Sequence, residues 1–477
     1  MVVIIADDQG WGDLSHRGNH SLSTPHLDRL REQGTSFERF YVQPVCAPTR
    51  AELLTGRYAQ RDGVRGVSNG AERLDPRTPT LADAFSAAGY RTAAFGKWHN
   101  GTQAPYHPLC RGFDTFYGFT SGHWGHYFDP LLDHDGRLTY GNGFLPNDLT
   151  DHAIHFLTGE TTQPAFVWLA YNTPHSPMQV PDRWWQRHKD QELSERGTLA
   201  EQEDIDHTRA ALAMVENLDW NVGRLLAGLD ESNRARDTIV VYLSDNGPNG
   251  HRYNVGLRGK KGWTDEGGVR SPLLMRWPDH IPAGQTIEEP VAAIDVAPTL
   301  AELTGIELPS SVDRDGLSFA PLVTGEHSEM PPRTLFSYWN GSSAARRQTF
   351  LLDDQQRLYD LASDPNQTVD VGSEHPEITA QLTAELQEWK TRWQVDQPAV
   401  PRPFTVGDGC LPLTQLPARD ATTRGNARHS NQYHNCTYIT DWSSPDDAIA
   451  WDVEVVEPGR YAATLYYTCA EANVGSL

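Results

Sequence analysis

Residues 2–8 read Val-Val-Ile-Ile-Ala-Asp-Asp, and this stretch decides the fold because five apolar residues end directly in two carboxylates. The pattern recurs at residues 92–95, 166–171 and 239–243, where apolar runs again end in polar clusters. Continuous apolar runs of this length are typical of strands buried on both faces of a parallel sheet. The sequence therefore predicts at least four such strands.

Helix signals lie between these strands. Residues 24–34 and 78–89 each begin with Thr and Pro and end at Gly, which favour helix starts and helix ends. Residues 205–229 read as one long helix whose apolar stripe predicts core packing. Strands that alternate with helices predict an α/β fold with a doubly wound, mainly parallel sheet. Such sheets bind ligands beyond the carboxyl ends of their strands, where the polar clusters lie.

Two smaller units follow an α/β domain that we assign to residues 1–332. Short strands and a helix at 376–393 predict a small α+β subdomain over 333–395. A Pro-rich linker at 396–403 leads to 404–477, predicted to be a partial all-β sandwich module. In that module, residues 450–455 and 461–467 flank Glu457-Pro458-Gly459-Arg460, a pattern that predicts a β-hairpin. No signal peptide precedes the first strand, and the tail has too few strands to close a sandwich, so we expect a chain truncated at both ends.

Composition excludes two classes of partner. The 477 residues carry 40 Lys and Arg against 63 Asp and Glu, a formal charge of −23, with a mean hydropathy of −0.56. Neither nucleic-acid binding nor a membrane span is expected, since no apolar run approaches the ~18 residues that a span requires. An anionic substrate would need a local cationic pocket or a bound metal. The five cysteines form no zinc motif, and three of them lie beyond residue 400, which allows a disulfide within the tail.

Acidic pairs follow two of the predicted strands. Asp7-Asp8 and Asp245-Asn246 offer three carboxylates and an amide oxygen, the hard ligand set that suits Ca²⁺ or Mg²⁺. Either pair alone would favour simple capping of a turn. Because both pairs are expected at the same edge of one sheet, a metal site is the better interpretation.

Cys46 lies just before a predicted helix. Pro48 can begin that helix, whose N–H groups would then face Cys46, and Arg50 adds a positive charge nearby. A thiolate nucleophile is one interpretation, but a tyrosine-phosphatase loop needs five residues and glycines between Cys and Arg, and here there are three residues and no Gly. A buried cysteine that packs as a small hydrophobe is the other, and this motif alone does not separate the two.

Six motifs occur in order along the chain. They are Ala6-Asp7-Asp8-Gln9-Gly10, Cys46-x-Pro48-x-Arg50 extended by Leu54-Thr55-Gly56-Arg57, Gly96-Lys97-Trp98-His99, Asn172-Thr173-Pro174-His175, Ser244-Asp245-Asn246-Gly247, and Lys261-Gly262 with Glu266-Gly267-Gly268-Val269-Arg270. Together these motifs resemble those of the type I, formylglycine-dependent sulfatases, an arylsulfatase-like family of the alkaline-phosphatase-like superfamily. The resemblance covers about the first four hundred residues, and Leu358-Tyr359-Asp360-Leu361 with Asp364-Pro365 resembles that family's C-terminal subdomain.

The resemblance implies a sulfuric ester hydrolase with two cofactors. Cys46 would be converted by a separate maturation enzyme to formylglycine (3-oxoalanine), whose hydrate supplies the nucleophilic oxygen and a second hydroxyl that helps to expel sulfate. One Ca²⁺ per chain would be held by Asp7, Asp8, Cys46, Asp245 and Asn246. The family also implies a periplasmic or secreted location.

The resemblance also implies roles for the remaining site residues. Arg50 and Lys97 match groups that hold the formylglycine and the sulfate oxygens, and His99 matches the base that helps to release sulfate. His175 and Lys261 match contacts to the substrate and the leaving group. We choose Lys261 over the adjacent Lys260 because the Lys-Gly step precedes the Glu-Gly-Gly run. Positive charge around a sulfate ester and a metal beside the nucleophile are what this reaction needs.

Some interpretations stay open. The aromatic, His-rich loop at 118–129 could line the leaving-group pocket or could be ordinary packing, and Arg183-Trp184-Trp185 and Trp263 could stack on sugars or pack in the core. The module at 404–477 resembles the β-sandwich carbohydrate-binding domains that are often appended to glycan-degrading enzymes, which predicts that it binds carbohydrate. The substrate is expected to be a sulfated carbohydrate or an aryl sulfate. The alternatives are a formylglycine-dependent phosphonate or phosphate-ester hydrolase, and a non-catalytic glycan-binding protein on a sulfatase scaffold.

Overall fold

A ten-stranded sheet forms the centre of the molecule in the computed structural model, which describes residues 1–327, 329–397, 400, 402–411 and 413–469. The five strands in the middle of the sheet all run parallel, and four of the five pairings outside them are antiparallel, which confirms the predicted mainly parallel sheet. The strands, in order across the sheet, are Gln285–Ile287, Thr35–Phe37, Leu273–Arg276, Val240–Ser244, Val2–Ala6, Ala165–Ala170, Arg91–Lys97, Thr115–Phe119, Leu131–His134 and Arg137–Tyr140.

The strand Val2–Ala6 lies in the parallel centre. Val2 aligns with Val167 on one side and with Val240 on the other. Val3 and Ile5 pack into an apolar cluster on one face of the sheet, whereas the alternate side chains of the strand pack into a separate cluster on the other face. Burial on both faces explains why the apolar run is continuous rather than alternating.

Helices cover both faces of the sheet. The longest, Ile205–Glu231, buries Leu218, Val222 and Leu225 in one of the two core clusters, so the predicted packing role of its stripe is confirmed. The helices are Pro25–Glu32, Cys46–Thr55, Leu81–Ala87, Leu145–Thr158, Asp182–His188, Ile205–Glu231, Glu266–Val269, Val296–Thr304, Ala320–Thr324 and Pro376–Trp393.

Two helix starts differ from the predictions. The helix expected from Thr78 begins at Leu81, because Thr80 and Asp83 form a reciprocal capping box while the Thr78 hydroxyl donates to Asp62 instead. The helix expected from Pro48 begins two residues earlier, at Cys46. Cys46 is therefore part of the first helical turn.

A four-stranded antiparallel sheet follows the main domain, and the helix Pro376–Trp393 packs on it, with the bounds predicted. Arg346 from this sheet pairs with the buried Glu266 of the main domain, Nε to Oε1, at 3.0 Å. The strands are Leu335–Trp339, Ser342–Arg347, Phe350–Asp353 and Leu358–Asp360; a separate small sheet joins Arg270–Ser271, Phe40–Tyr41 and Val291–Ala292.

Over its described residues, the tail forms three two-stranded pairings, and the predicted hairpin is wrong. Val453–Val455 pairs in parallel with Phe404–Val406, and residues 461–469 contain no strand. The side chains of Tyr461, Tyr466 and Tyr467 are half or more exposed, so among the described residues no surface buries the face that a second hairpin strand would need. The other pairings are Thr422–Arg424 with Ala448–Ala450 and Arg428–His429 with Ile439–Thr440.

The disulfide also differs from the one that the sequence allowed within the tail. Cys410 bonds to Cys110 of the main domain, across a sequence separation of 300 residues. The two cysteines are brought together by packing of the tail on the main domain, which no local spacing could reveal. Over the described residues, no helix has the length and apolar character needed to cross a membrane.

Candidate active site

The carboxyl ends of four neighbouring parallel strands meet at one buried cluster. The amide of Asp7 donates to the carbonyl of Thr173 at 3.1 Å, and the amide of Asp245 donates to that of Ala6 at 3.1 Å, so the strand ends are held in register past the sheet itself. The structure brings together all of the predicted site residues, namely Asp7, Asp8, Cys46, Arg50, Lys97, His99, His175, Asp245, Asn246 and Lys261. Each is at least nine-tenths buried except His175 and Lys261, whose side chains are 11% and 18% exposed.

Each of the three carboxylates is paired with one cation. Lys97 Nζ lies 2.6 Å from Asp7 Oδ2, and Lys261 Nζ lies 2.7 Å from Asp8 Oδ1. Arg50 directs Nη2 and Nε at Asp245 Oδ2, at 2.7 and 3.0 Å, and its Nη1 donates to the carbonyl of Lys97 at 2.8 Å. The cluster is thus rich in both signs of charge and shielded from water.

Several oxygens in the cluster remain available for a cation. Asp7 Oδ1 and Asn246 Oδ1 are buried and have no hydrogen-bond partner. Ligand atoms of Asp7, Cys46 and Asp245 all lie within 4.8 Å of one another, as do those of Asp7, Asp8 and His175. Burial and the nearby Asp7 carboxylate raise the pKa of Asp245 to about 6 although Arg50 opposes them. This crowding of unpaired oxygen and negative charge fits a hard divalent cation.

Cys46 lies in the first turn of its helix, beside the carboxylates and the cations. It is 3% exposed, and burial raises the pKa of its thiol even though Lys97 and Lys261 act in the opposite direction. Asn100 Nδ2 donates to the carbonyl of Ala47 at 3.1 Å and so ties this turn to the loop after Lys97. An unmodified thiol here stays protonated, which disfavours the thiolate interpretation.

The tautomer of His99 follows from its partner. His99 Nε2 lies 2.8 Å from the carbonyl oxygen of Val67, which can only accept, so Nε2 carries the proton. Nδ1 then holds a lone pair, and it is buried without a partner. Burial, together with the charge of Lys97, holds the pKa of His99 well below its usual value, so the ring is neutral. A neutral imidazole with a free lone pair can act as a base.

His175 has the opposite arrangement. Its Nδ1 lies 2.5 Å from the carbonyl oxygen of Ser176 and must donate to it, which leaves the lone pair on Nε2, 3.7 Å from Asp8 Oδ2. Burial and the charge of Lys261 lower the pKa of His175 to about 3. His175 can therefore accept a hydrogen bond in the site but has no proton to give there. Lys261 keeps its charge, because Asp8 raises its pKa despite burial.

Backbone strain coincides with the cluster. Asp8 and His99 are non-glycine residues with φ of 69° and 66°, a conformation that costs energy and that is common at functional sites. Arg252 supports Asp8 by donating from Nη2 to its carbonyl at 2.8 Å while pairing with the buried Asp13 at 2.7 Å. Sequence reasoning missed Asp13 and Arg252, because 239 residues separate them and no motif contains both.

The loop at 118–129 contains one residue that packs in the interior and one that lies beside the site. Tyr127 is buried, and its hydroxyl donates to the carbonyl of His175 at 2.9 Å, a packing role. His123 meets the ring of His175 edge to face, with centroids 5.7 Å apart, so this part of the loop adjoins the site. Trp184 is buried, and its ring centroid lies 6.1 Å from that of Trp220, which is packing in the interior. Trp263, in contrast, is 40% exposed.

Two family models and several curated relatives match this chain. The family described as Sulfatase matches residues 1–306, and that described as N-sulphoglucosamine sulphohydrolase, C-terminal, matches residues 259–392. Steryl-sulfatase of Mus musculus is 31% identical over 446 residues, which cover 73% of this chain and 68% of that protein. N-acetylgalactosamine-6-sulfatase of Sus scrofa is 31% identical over 371 residues, covering 69% of this chain and 67% of that protein.

Solved structures share the fold over most of the chain. The structure of Ps i-CgsB in complex with k-i-k-neocarrahexaose superposes with a TM-score of 0.74 at 28% identity, covering 83% of this chain and 93% of that one. The fold predicted from the sequence, an alkaline-phosphatase-like sheet with a C-terminal sheet module, is confirmed by this likeness.

Proposed function

Because this chain belongs to the sulfatase family of sulfuric ester hydrolases, we propose that it removes sulfate from a sulfated carbohydrate or an aryl sulfate at the cluster around Cys46. The observation that carries the proposal is the convergence of three cations and three carboxylates on the buried first turn that contains Cys46. A negatively charged molecule with net charge −23 needs such a local concentration of positive charge to bind a sulfate ester.

One Ca²⁺ would be held by Asp7, Asp8, Asp245, Asn246 and the modified Cys46. The partnerless oxygens Asp7 Oδ1 and Asn246 Oδ1 support this assignment, since carboxylate and amide oxygens are the preferred ligands of Ca²⁺. When bound, the ion offsets the buried carboxylate charge and lowers the pKa of the attacking hydroxyl. Without it, the lysines and Arg50 remain engaged with the carboxylates.

Cys46 would be converted to formylglycine by a separate maturation enzyme, which is the protein partner that this proposal requires. The formylglycine hydrate supplies the attacking oxygen and a second hydroxyl. Burial of Cys46 and its protonated thiol support a role that depends on this modification rather than on a thiolate. The N–H groups of the first helical turn favour negative charge at this position.

Five cationic or neutral groups would then act on the substrate. Lys97 and Arg50 hold positive charge beside the sulfate oxygens, and Arg50 also fixes Asp245. Lys261 protonates the leaving oxygen, because His175 Nε2 carries a lone pair and can only accept a hydrogen bond from a substrate hydroxyl. His99 Nδ1 takes the proton whose removal releases sulfate.

We place the enzyme in the periplasm or outside the cell, because the Cys110–Cys410 disulfide is typical of an oxidising compartment. A glycan sulfate is favoured as substrate by the likeness to a structure solved in complex with k-i-k-neocarrahexaose, an oligosaccharide. Carbohydrate binding by the tail remains a separate prediction.

The test is a side-by-side comparison of substrates. The chain is produced together with a formylglycine-generating enzyme, and kcat/KM is measured for nitrophenyl sulfate, a sulfated oligosaccharide and an aryl phosphonate diester. We expect the sulfates to be preferred and the Cys46→Ala variant to be inactive on all three. A higher kcat/KM for the phosphonate would favour the alternative function of a phosphonate hydrolase. Binding of the oligosaccharide without its hydrolysis would favour a glycan-binding protein.

A further inference from the structure

The tail, residues 404–411 and 413–469, is fastened to the main domain close to the site. The Cys110–Cys410 disulfide joins the two covalently. Gln415 Nε2 donates to the buried Asp133 Oδ2 of the main domain at 3.0 Å. The tail therefore has a defined position against the catalytic domain.

One tail residue shares a hydrogen-bond acceptor with His99. Asn435 Nδ2 donates to the carbonyl oxygen of Val67 at 2.7 Å, and the same oxygen accepts from His99 Nε2 at 2.8 Å. A carbonyl oxygen has two lone pairs and can accept both bonds. Asn435 thereby holds the acceptor that fixes the tautomer and the orientation of the imidazole.

A second tail residue acts on the loop at Gly122, which also lies against His99 Nε2. Arg419 is 5% exposed, and its Nη1 donates to Ser121 Oγ. The next residue, Gly122, presses on the imidazole so closely that a Cβ built there would lie 2.1 Å from His99 Nε2. Glu72 of the main domain faces the same guanidinium, with Oε1 3.9 Å from Nη2. Arg419 thus holds the loop that closes over His99.

We propose that the tail is part of the catalytic apparatus, with Asn435 and Arg419 as positioning residues for His99. The inference rests on the proposed function, in which His99 takes the proton that releases sulfate. The alcohol leaves in the first half of the reaction and sulfate in the second, so a displaced His99 slows only the second half. The tail then affects every sulfate ester alike, whatever the leaving group.

The test uses the matured full-length enzyme with nitrophenyl sulfate in rapid-mixing kinetics. Asn435→Ala and Arg419→Ala are each expected to lower kcat about tenfold, the effect expected from the loss of one hydrogen bond. The first alcohol per active enzyme should still appear rapidly. Asn431→Ala and Arg428→Ala are the matched controls, since Asn431 bonds within the tail to Cys436 and Arg428 pairs with Asp441 on the surface. Both controls should match the wild type.

A second readout needs no turnover. In the unmodified protein, hydrogen exchange around Val67 and Gly122 should rise in Asn435→Ala and Arg419→Ala and stay unchanged in the controls.

In the kinetic experiment, His99→Ala is the reference variant, and it should stop after releasing one alcohol per enzyme. If it stalls while Asn435→Ala keeps the wild-type kcat, the inference is wrong and the proposed function stands. If the wild type releases no alcohol from any sulfate ester, the proposed function itself fails.

A structural role alone is also distinguishable. If the tail only stabilised the fold, the variants would show fewer active enzymes and a smaller burst, with the same turnover per active enzyme. That outcome would overturn the positioning role. Arg419→Lys covers the case in which Arg419→Ala does not fold, because it keeps the charge and should recover part of kcat.

Discussion

Replacing Asn246 by Ala should weaken Ca²⁺ binding without changing any charge. The substitution removes one partnerless buried oxygen, Asn246 Oδ1, which is the atom available to the ion. An interaction of a polar group with a charge contributes about 1.5–3 kcal/mol, so affinity should fall by roughly 10- to 100-fold. Asn246 Nδ2 also donates to Asp8 Oδ1 at 2.7 Å, and loss of that bond affects the protein with and without the ion.

The expected loss of Ca²⁺-dependent stability follows from mass action. At a Ca²⁺ concentration of about 100 times Kd, binding stabilises the native wild-type protein by about 2.7 kcal/mol. If Kd rises about 100-fold in the variant, the same concentration stabilises it by only about 0.4 kcal/mol. The quantity to compare is therefore the Ca²⁺-dependent part of the free energy of unfolding, which excludes effects common to both conditions.

Urea unfolding in Ca²⁺ and in chelator provides this quantity, and calorimetric titration of Ca²⁺ gives Kd directly. Asn217→Ala is a matched control, because Asn217 is also a buried Asn but bonds to Asn147 away from the site. It should lower stability equally in both conditions. An equal Ca²⁺-dependent gain in Asn246→Ala and the wild type would refute the ligand assignment.

Three further predictions concern charge and protonation. Lys261→Ala should lower turnover of a glycan sulfate by about 10²–10⁴-fold and of nitrophenyl sulfate much less, because only the sugar alkoxide needs a proton to leave. Lys260→Ala is its control, and equal slowing of both substrates by Lys261→Ala would assign Lys261 to sulfate binding or site structure. Arg50→Ala should slow both substrates alike in steady-state assays, and a selective effect would contradict its place beside the sulfate. Burial raises the pKa of Asp219 to about 7, so the folded protein binds more protons there than the unfolded chain and its stability falls as pH rises from about 4 to 7, with a slope of at most about 1.4 kcal/mol per pH unit. Asp219→Asn keeps the acceptor oxygen and should remove that slope when the free energy of unfolding in urea is measured at several pH values. If the wild type and Asp219→Asn instead show the same dependence of unfolding free energy on pH, the raised pKa of Asp219 is excluded.

The sheet and the clustering of the predicted site residues could be predicted because their signals are local. Val2–Ala6 is a continuous apolar run directly followed by Asp7 and Asp8, and parallel strands end at one edge of the sheet. The same rule led from residues 239–243 to Asp245, and the two pairs do meet. Their roles as metal ligands remain predictions.

The features that could not be predicted from the sequence depend on contacts between distant parts of the chain. Arg252 supports Asp8 across 244 residues, and Cys110 pairs with Cys410 across 300, so neither could be read from spacing. The prediction of a hairpin in the tail was wrong because strand propensity does not determine which surface will bury a strand. Contacts of the tail with Val67 also came only from the three-dimensional packing.

The state of Cys46 tests the central claim most directly. Cleavage after Arg39 and Arg50 releases the peptide 40–50, whose mass shows whether the CH₂SH group has become an aldehyde or its hydrate. The measurement is made on preparations with and without the maturation enzyme, and sulfate-ester activity is recorded for each. We predict that activity rises in proportion to the aldehyde-bearing fraction. Full activity in a preparation whose Cys46 is entirely an unmodified thiol would contradict the account.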